Sequence, residues 1–175
     1  LPELSSQRCN YQSLSDRFLD DIFEIFSNPK VVKFNNYSLF RNLDDAQALL
    51  NMYEKRHNDE IGLRWGIVLK NSNKLIGTIG FNTLNINEFA TLGYDLNFKY
   101  WNNGYITEAI ETIVSHGFEN YNLKSIMAEV QIGNVASERV LIKNNFQFEF
   151  TFSKNFIIKS GFFSSNFFCK IRQPF

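Results

Sequence analysis

The residues best placed to do chemistry lie where Gly93-Tyr94-Asp95-Leu96-Asn97-Phe98 gives way to Lys99-Tyr100-Trp101-Asn102-Asn103-Gly104 and then to Tyr105-Ile106-Thr107-Glu108-Ala109. The first block reads as a strand, the second as a turn and the third as the start of a helix. The first N–H groups of a helix lack intrahelical partners and carry about half a positive charge, so a pyrophosphate can sit on such a turn. Gly104 lets the backbone approach a ligand with no Cβ in the way, and Asn102 and Asn103 tolerate conformations that most residues avoid. The amides of Asn102, Asn103, Gly104, Tyr105, Ile106 and Thr107 are therefore candidate contacts for a phosphate-bearing cofactor. An isolated Asn-Asn-Gly is more often an ordinary strand-to-helix turn, so a second segment must decide.

That segment is Asn134-Val135-Ala136-Ser137-Glu138-Arg139-Val140-Leu141-Ile142-Lys143-Asn144-Asn145-Phe146, which follows a strand from Ser125 to Gln131. Asn134 reads as the N-cap of a helix, with Ser137 on the polar side of its first turn and Asn145 at a left-handed helix end. Lys143 either balances the C-terminal end of the helix dipole or reaches the phosphates of a cofactor.

Together, Tyr100-Trp101-x-x-Gly104-Tyr105-x-Thr107-Glu108-Ala109 and Asn134-x-x-Ser137-x-x-Val140-Leu141-x-Lys143-x-x-Phe146 resemble the GNAT acetyltransferases, specifically the branch of Rim-type ribosomal-protein N-acetyltransferases. Trp65-Gly66-Ile67-Val68 and Leu75-Ile76-Gly77-Thr78-Ile79-Gly80-Phe81 look like that family's two central hairpin strands, so the likeness runs from Arg8 to about Lys170. The resemblance implies acetyl-CoA as co-substrate, no metal, and an amine acceptor, either a protein N-terminus or a small amine such as an antibiotic or polyamine. Attack would be direct, in a ternary complex. In the family a splay between the strand ending at Phe98 and the strand near Ala128 admits the pantetheine arm. Backbone groups of Leu96 and Asn97 would then serve the arm, and an N–H there would polarise the thioester carbonyl, an effect of ~3 kcal/mol in related acyl transfers. The same resemblance places Asn134 at the pantetheine and makes Ser137 the hydroxyl that protonates the departing thiolate.

Three positions depart from the family pattern: Asn102 replaces a first turn glycine, Thr91 a glutamate, and Ser165 an aspartate. An attacking amine must shed a proton of pKa about 8 to 10, and Thr91 cannot take it. Asp95, four residues on and on the same strand face, is the nearest carboxylate there, so the expected route is through water assisted by Asp95. Glu60, His57 and Glu88 read as surface groups and His116 as structural. The loss of the acid at Thr91 keeps a second class open, a CoA-binding or interaction protein with weakened catalysis. The Gly-x-x-x-x-Gly-Lys-Ser/Thr pattern of nucleotide kinases is absent.

The elements that must position these groups read in the order β, α, α, β, β, β, α, β, α, β, β. A strand covers about Arg8 to Tyr11, and a helix starts near Ser15 with Phe18, Ile22, Ile25 and Phe26 on one face. A second helix, capped by Asp44 or Asp45, carries Ala46, Leu49, Leu50 and Tyr53. Strands Leu63 to Leu69, Leu75 to Asn82 and Phe89 to Phe98 follow, the first two joined at Asn71-Ser72-Asn73. The turn helix buries Ile106, Ala109, Ile110, Ile113, Val114 and Gly117, and a closing pair of strands turns near Ser153 to Asn155 and Ser160-Gly161. Sequential hairpins with helices interposed predict an α+β fold. It is a single GNAT-like domain over residues 1–175, with a mixed, mostly antiparallel sheet flanked by helices on both faces.

A chain of 175 residues, 44% hydrophobic, suffices for one buried domain. Eighteen basic residues balance eighteen acidic ones, so no net field draws it to nucleic acid or an anionic membrane. Nineteen phenylalanines, crowded at Phe150, Phe152, Phe156, Phe162, Phe163, Phe167 and Phe168, mostly fill core; an exposed remainder would suggest a homodimer interface. Two cysteines, Cys9 and Cys169, make no disulfide framework, and Cys169 reads as a buried structural thiol. No apolar run approaches a membrane span and no leader is evident, so a cytoplasmic location is expected.

Overall fold

Nearly continuous buried runs in the central strands build one sheet, and helices pack on both its faces. The computed structural model describes residues 1–35, 37–156 and 161–172. Strands β1 (Leu4–Ser5) and β2 (Cys9–Ser13) precede helices α1 (Leu19–Phe26), α2 (Pro29–Val32) and α3 (Leu43–Asn58). Then come β3 (Leu63–Leu69), β4 (Leu75–Asn85), β5 (Phe89–Leu96), α4 (Tyr105–Asn120), β6 (Ser125–Gln131), α5 (Val135–Lys143), β7 (Gln147–Phe156) and β8 (Gly161–Ile171). The sheet order is β1-β2-β3-β4-β5-β6-β8-β7, antiparallel throughout except for the parallel β5–β6 pair. On one face Ile22, Ile25 and Phe26 of α1 meet Ala46, Leu49, Leu50 and Tyr53 of α3. On the other, Ile106, Ala109, Ile110, Ile113 and Val114 of α4 pack with Leu141 of α5 over the sheet. The expected α+β architecture is the one observed, and no helix among the described residues is long and apolar enough to cross a membrane.

Local departures have local causes. Helix α3 is capped by Asn42, not by Asp44 or Asp45: Asn42 Oδ1 accepts from the Asp45 N–H at 3.1 Å, and Asp45 reciprocates from the third helical position. β1 and α2 are too short to leave a periodic signal. β5 stops at Leu96 because the Asn97 side chain accepts from the Lys99 N–H at 3.0 Å and starts a single 3₁₀ turn over Phe98–Tyr100. The turn expected at Ser153 to Asn155 is strand interior. Its polar side chains bond across the ladder instead, Ser153 to Ser164 at 2.8 Å and Thr151 to Asn166 at 2.7 Å. Ser160 lies outside the described residues.

Candidate active site

The parallel pairing of β5 with β6 covers only Phe89 to Leu92, opposite Ser125 to Ala128. Beyond Leu92 the two strands part. The Asn97 N–H donates to the Ile76 carbonyl of β4 at 2.8 Å, and alternate residues of a strand turn their amides to opposite sides. Tyr94 and Leu96 therefore face the gap, while Asn97 does not. The Leu96 carbonyl is taken by the Trp101 indole N–H at 2.9 Å, which leaves the Leu96 N–H and both Tyr94 backbone groups as the open edge.

The turn below the gap has the form of an anion cradle. Asn102 has φ +60° and Gly104 φ +78°, and Gly104 is the N-cap of α4 with no side chain to satisfy the open amides. A Cβ built on Gly104 meets nothing nearer than Arg8 Nη2 at 3.5 Å, so the space above it is open. Arg8 is fixed there by Glu108 Oε2 at 2.7 Å, by the Asn103 carbonyl at 2.8 Å and by the face of Tyr105 at 4.2 Å. A groove of about 390 Å³ runs from this turn between α4 and α5, and Leu96, Asn102, Gly104, Tyr105, Ile106, Thr107, Asn134, Ser137 and Lys143 all line it. Lys30, Arg139 and Lys143 give it three cations, none paired with a carboxylate among the described residues. In a chain of zero net charge, such a groove suits a polyanion.

At the upper end of the groove Asn134 caps α5, its Oδ1 accepting from the Ser137 N–H at 3.3 Å. The hydroxyls of Ser137 and Tyr94 share a hydrogen bond of 2.5 Å that bridges α5 to β5 across the gap. Burial pushes the Tyr94 hydroxyl up to about 12, with the bond to Ser137 acting in the opposite sense, so Tyr94 stays protonated.

A second cavity, of about 870 Å³, opens on the other side of this bridge. Its floor holds the ion pair Arg64 Nη2 to Asp95 Oδ2 at 2.6 Å, both side chains under a tenth exposed. Arg64 also donates to Thr78 Oγ1 at 3.1 Å and Asn82 Oδ1 at 3.3 Å and lies over the Tyr53 ring, while Asn35 donates to Asp95 Oδ1 at 3.1 Å. Gly93 makes room for this cluster, since a Cβ there would stand 2.5 Å from Asn82 Nδ2. Burial raises the Asp95 carboxyl above its ordinary range and Arg64 pulls it back. Of the acidic residues lining the cavity, Asp95 is thus fully engaged, whereas Glu129 on β6 is exposed and has no cation partner among the described residues. Phe34, Asn35, Tyr94, Asp95, Asn134 and Ser137 line both cavities, so the two meet at the Tyr94–Ser137 bridge.

A family model for the acetyltransferase (GNAT) domain matches this chain over residues 12–147. The chain belongs to the GNAT acetyltransferases. It is 33% identical over 149 residues, 85% of this chain and 84% of the relative, to a Bacillus subtilis protein described as the uncharacterized N-acetyltransferase YoaA. Among solved structures it superposes on the self-immunity acetyltransferase MccE in complex with acetyl-CoA and AMP, with TM-score 0.83, 19% identity and 95% and 93% of the two chains covered. It also superposes on the ribosomal-protein acetyltransferase RimL in complex with coenzyme A, with TM-score 0.86, 13% identity and 97% and 98% coverage. At these identities the two structures speak for the fold, and Rim-type enzymes are among its neighbours.

Within this GNAT frame, most of the expected residues line the groove, and a few of their groups turn elsewhere. The Asn97 N–H is committed to β4, and the Asn97 side chain donates to Glu24 at 3.2 Å, away from the groove. Phe98 is covered by Lys30 at 4.0 Å. The Asn103 side chain donates to the Trp101 carbonyl at 2.8 Å, closing the turn. Lys143 stands in the last turn of α5, where its charge faces the C-terminal end of the dipole, while Lys170 donates to the Asn144 carbonyl at 2.9 Å. Asn145 is left-handed at φ +62°, as its place at the helix end predicts. Cys169 is half-buried and His116 packs edge-on against Trp65 and Tyr121. Arg8, Arg64, Glu129 and Arg139 were missed. Only Arg64 left a signal, a lone charge inside the apolar run Leu63 to Leu69.

Proposed function

We propose that the protein transfers the acetyl group of acetyl-CoA to a primary amine by direct attack in a ternary complex. The observation that carries this reading is the meeting of the cationic groove and the second cavity at Tyr94, Asp95, Asn134 and Ser137. The groove takes the CoA phosphates on the amides of Gly104 to Thr107 and the cations Arg139 and Lys143. The open edge at Tyr94 and Leu96 receives the pantetheine, and the Leu96 N–H supports the thioester oxygen. The amine enters from the second cavity. When the C–N bond forms, the C–S bond breaks and the thiolate leaves toward the bridge, where Ser137 gives it a proton, and the proton that the nitrogen sheds as the amide forms returns through Tyr94 to Ser137, so both hydroxyls end protonated. The acceptor's own proton passes to Glu129, directly or through water.

Ser137→Ala is expected to lower turnover about 100-fold while CoA affinity changes little. Wild-type turnover in that variant would reduce Ser137 to a residue of the helix surface. Glu129→Gln should lower kcat/KM about 100-fold near pH 7 and much less near pH 9.5, where more of the acceptor amine has lost its proton unaided. Should Asp95→Asn show that pH-selective loss and Glu129→Gln none, the proton passes by way of Asp95. The test of the whole reading is release of free thiol from acetyl-CoA against a panel of N-terminal peptides and small amines. CoA binding without thiol release from any acceptor would instead support a binding protein on the same fold, the role that Thr91, in place of an acid, favours.

A further inference from the structure

We propose that the acceptor is a primary amine with a large apolar group close to its nitrogen, and that Phe152, Phe167 and Phe150 form the shelf on which that group lies. The proposal rests on the second cavity being the acceptor site. Strand register places the residues: Glu129 of β6 is opposite Phe167 of β8, which is opposite Phe150 of β7, and the next row runs Gln131, Ser165, Phe152. Residues paired across a ladder share a face. Glu129, Gln131, Ser165, Phe152 and Phe167 all line the cavity, and the Phe150 ring stacks on Phe167 at 4.9 Å and 13°.

The bulge between Phe148 and Phe150 makes this arrangement. It sends Phe148 to the opposite face, where its ring meets Phe168 at 5.9 Å, and keeps Phe150 and Phe152 on the cavity side. There they are 47% and 51% exposed, beside a cavity rather than buried in the core. The row thus runs from a lone carboxylate to two ring faces. Adjacent strands are roughly 5 Å apart, so the rings stand roughly 5 to 10 Å from the row position of Glu129. An ammonium attracted to Glu129 would reach the shelf only with an apolar group a few bonds away. An N-terminal Phe, Leu or Met meets that condition, as does an arylalkylamine; a Ser or Ala terminus, or a polyamine, does not.

The test has a peptide arm and a small-amine arm. Initial rates with acetyl-CoA are measured for hexapeptides differing only in a first residue of Phe, Leu, Ala or Ser, and for phenethylamine against ethylamine. The expected result is a kcat/KM at least about tenfold higher for the apolar member of either arm, and the arm with the larger value identifies the source. Phe152→Ala, with CoA affinity measured to show that it is folded, should reduce that preference about tenfold through KM. Equal rates in both arms, or a preference unaltered in Phe152→Ala, would overturn the proposal. So would a Phe150→Ala variant that turns a dimer into a monomer with the preference intact, because the face would then be an interface between copies. If no amine is acetylated, the functional reading fails independently, and titration of phenethylamine into the CoA-bound protein and its Phe152→Ala variant decides the shelf alone.

Discussion

Gly104→Val should weaken CoA binding about 100-fold or more in a calorimetric titration, a loss of ~2.7 kcal/mol. Two effects combine. A β-branched residue at φ +78° is strained, and its side chain would fill the open space through which a diphosphate reaches the amides of Tyr105, Ile106 and Thr107. The neighbouring protein offers no clash, so melting temperature should fall modestly while affinity collapses. Gly104→Ala should land between the two. CoA affinity unchanged in the valine variant would remove the cradle from the binding site.

Arg64→Met should destabilise the fold by about 3 to 5 kcal/mol, since it leaves Asp95 buried with no cation beside it. The loss should be smaller in acid. Asp95 is already raised by burial, and without Arg64 it rises further, so the folded variant binds a proton that the unfolded chain releases. A fold that holds a carboxyl raised in this way gains stability as pH falls, and because the rise is larger without the cation, Arg64→Met should gain more than wild type between pH 8 and pH 5. Adding Asp95→Asn should restore much of the loss at pH 8. Chemical denaturation at the two pH values checks both statements. A single-variant cost below about 1 kcal/mol would mean that water reaches the pair.

How much of this was readable in the residues depended on range. The helix faces of α1, α3 and α4 and the three central strands were legible because burial imposes a period on neighbours in sequence. The groove was legible as well, since Asn102 to Thr107 and Asn134 to Lys143 are each continuous and each sits on one helix end. What escaped depended on contacts across the sheet. Arg64 and Asp95 are 31 positions apart, and Arg8 and Glu108 100 apart, and nothing local marks either pair. The ion pair at Asp95 escaped for the same reason: strand spacing gives the face of a side chain and is silent about the arginine already bound to it. The place of Glu129 in the second cavity is hidden for the mirror reason, because only tertiary structure shows that it has no cation partner among the described residues. The turn expected at Ser153 failed because composition suggests a loop wherever Ser, Lys and Asn cluster, while cross-strand hydroxyl pairs let β7 continue.

The gap beside β5 also bears on self-association. A strand with bare amides normally invites another polypeptide to pair with it, and proteins guard such margins. Here the bare stretch is short, covering Tyr94 and Leu96, and it is enclosed, with β4 behind it, β6 beyond it and the Tyr94–Ser137 bridge spanning it. A foreign strand has no room to lie alongside. The interior slit can therefore keep its hydrogen-bonding capacity for a slender linear guest without exposing the chain to aggregation through the same groups. Among the described strands, that risk falls to the two outer margins, the short β1 and the longer β7.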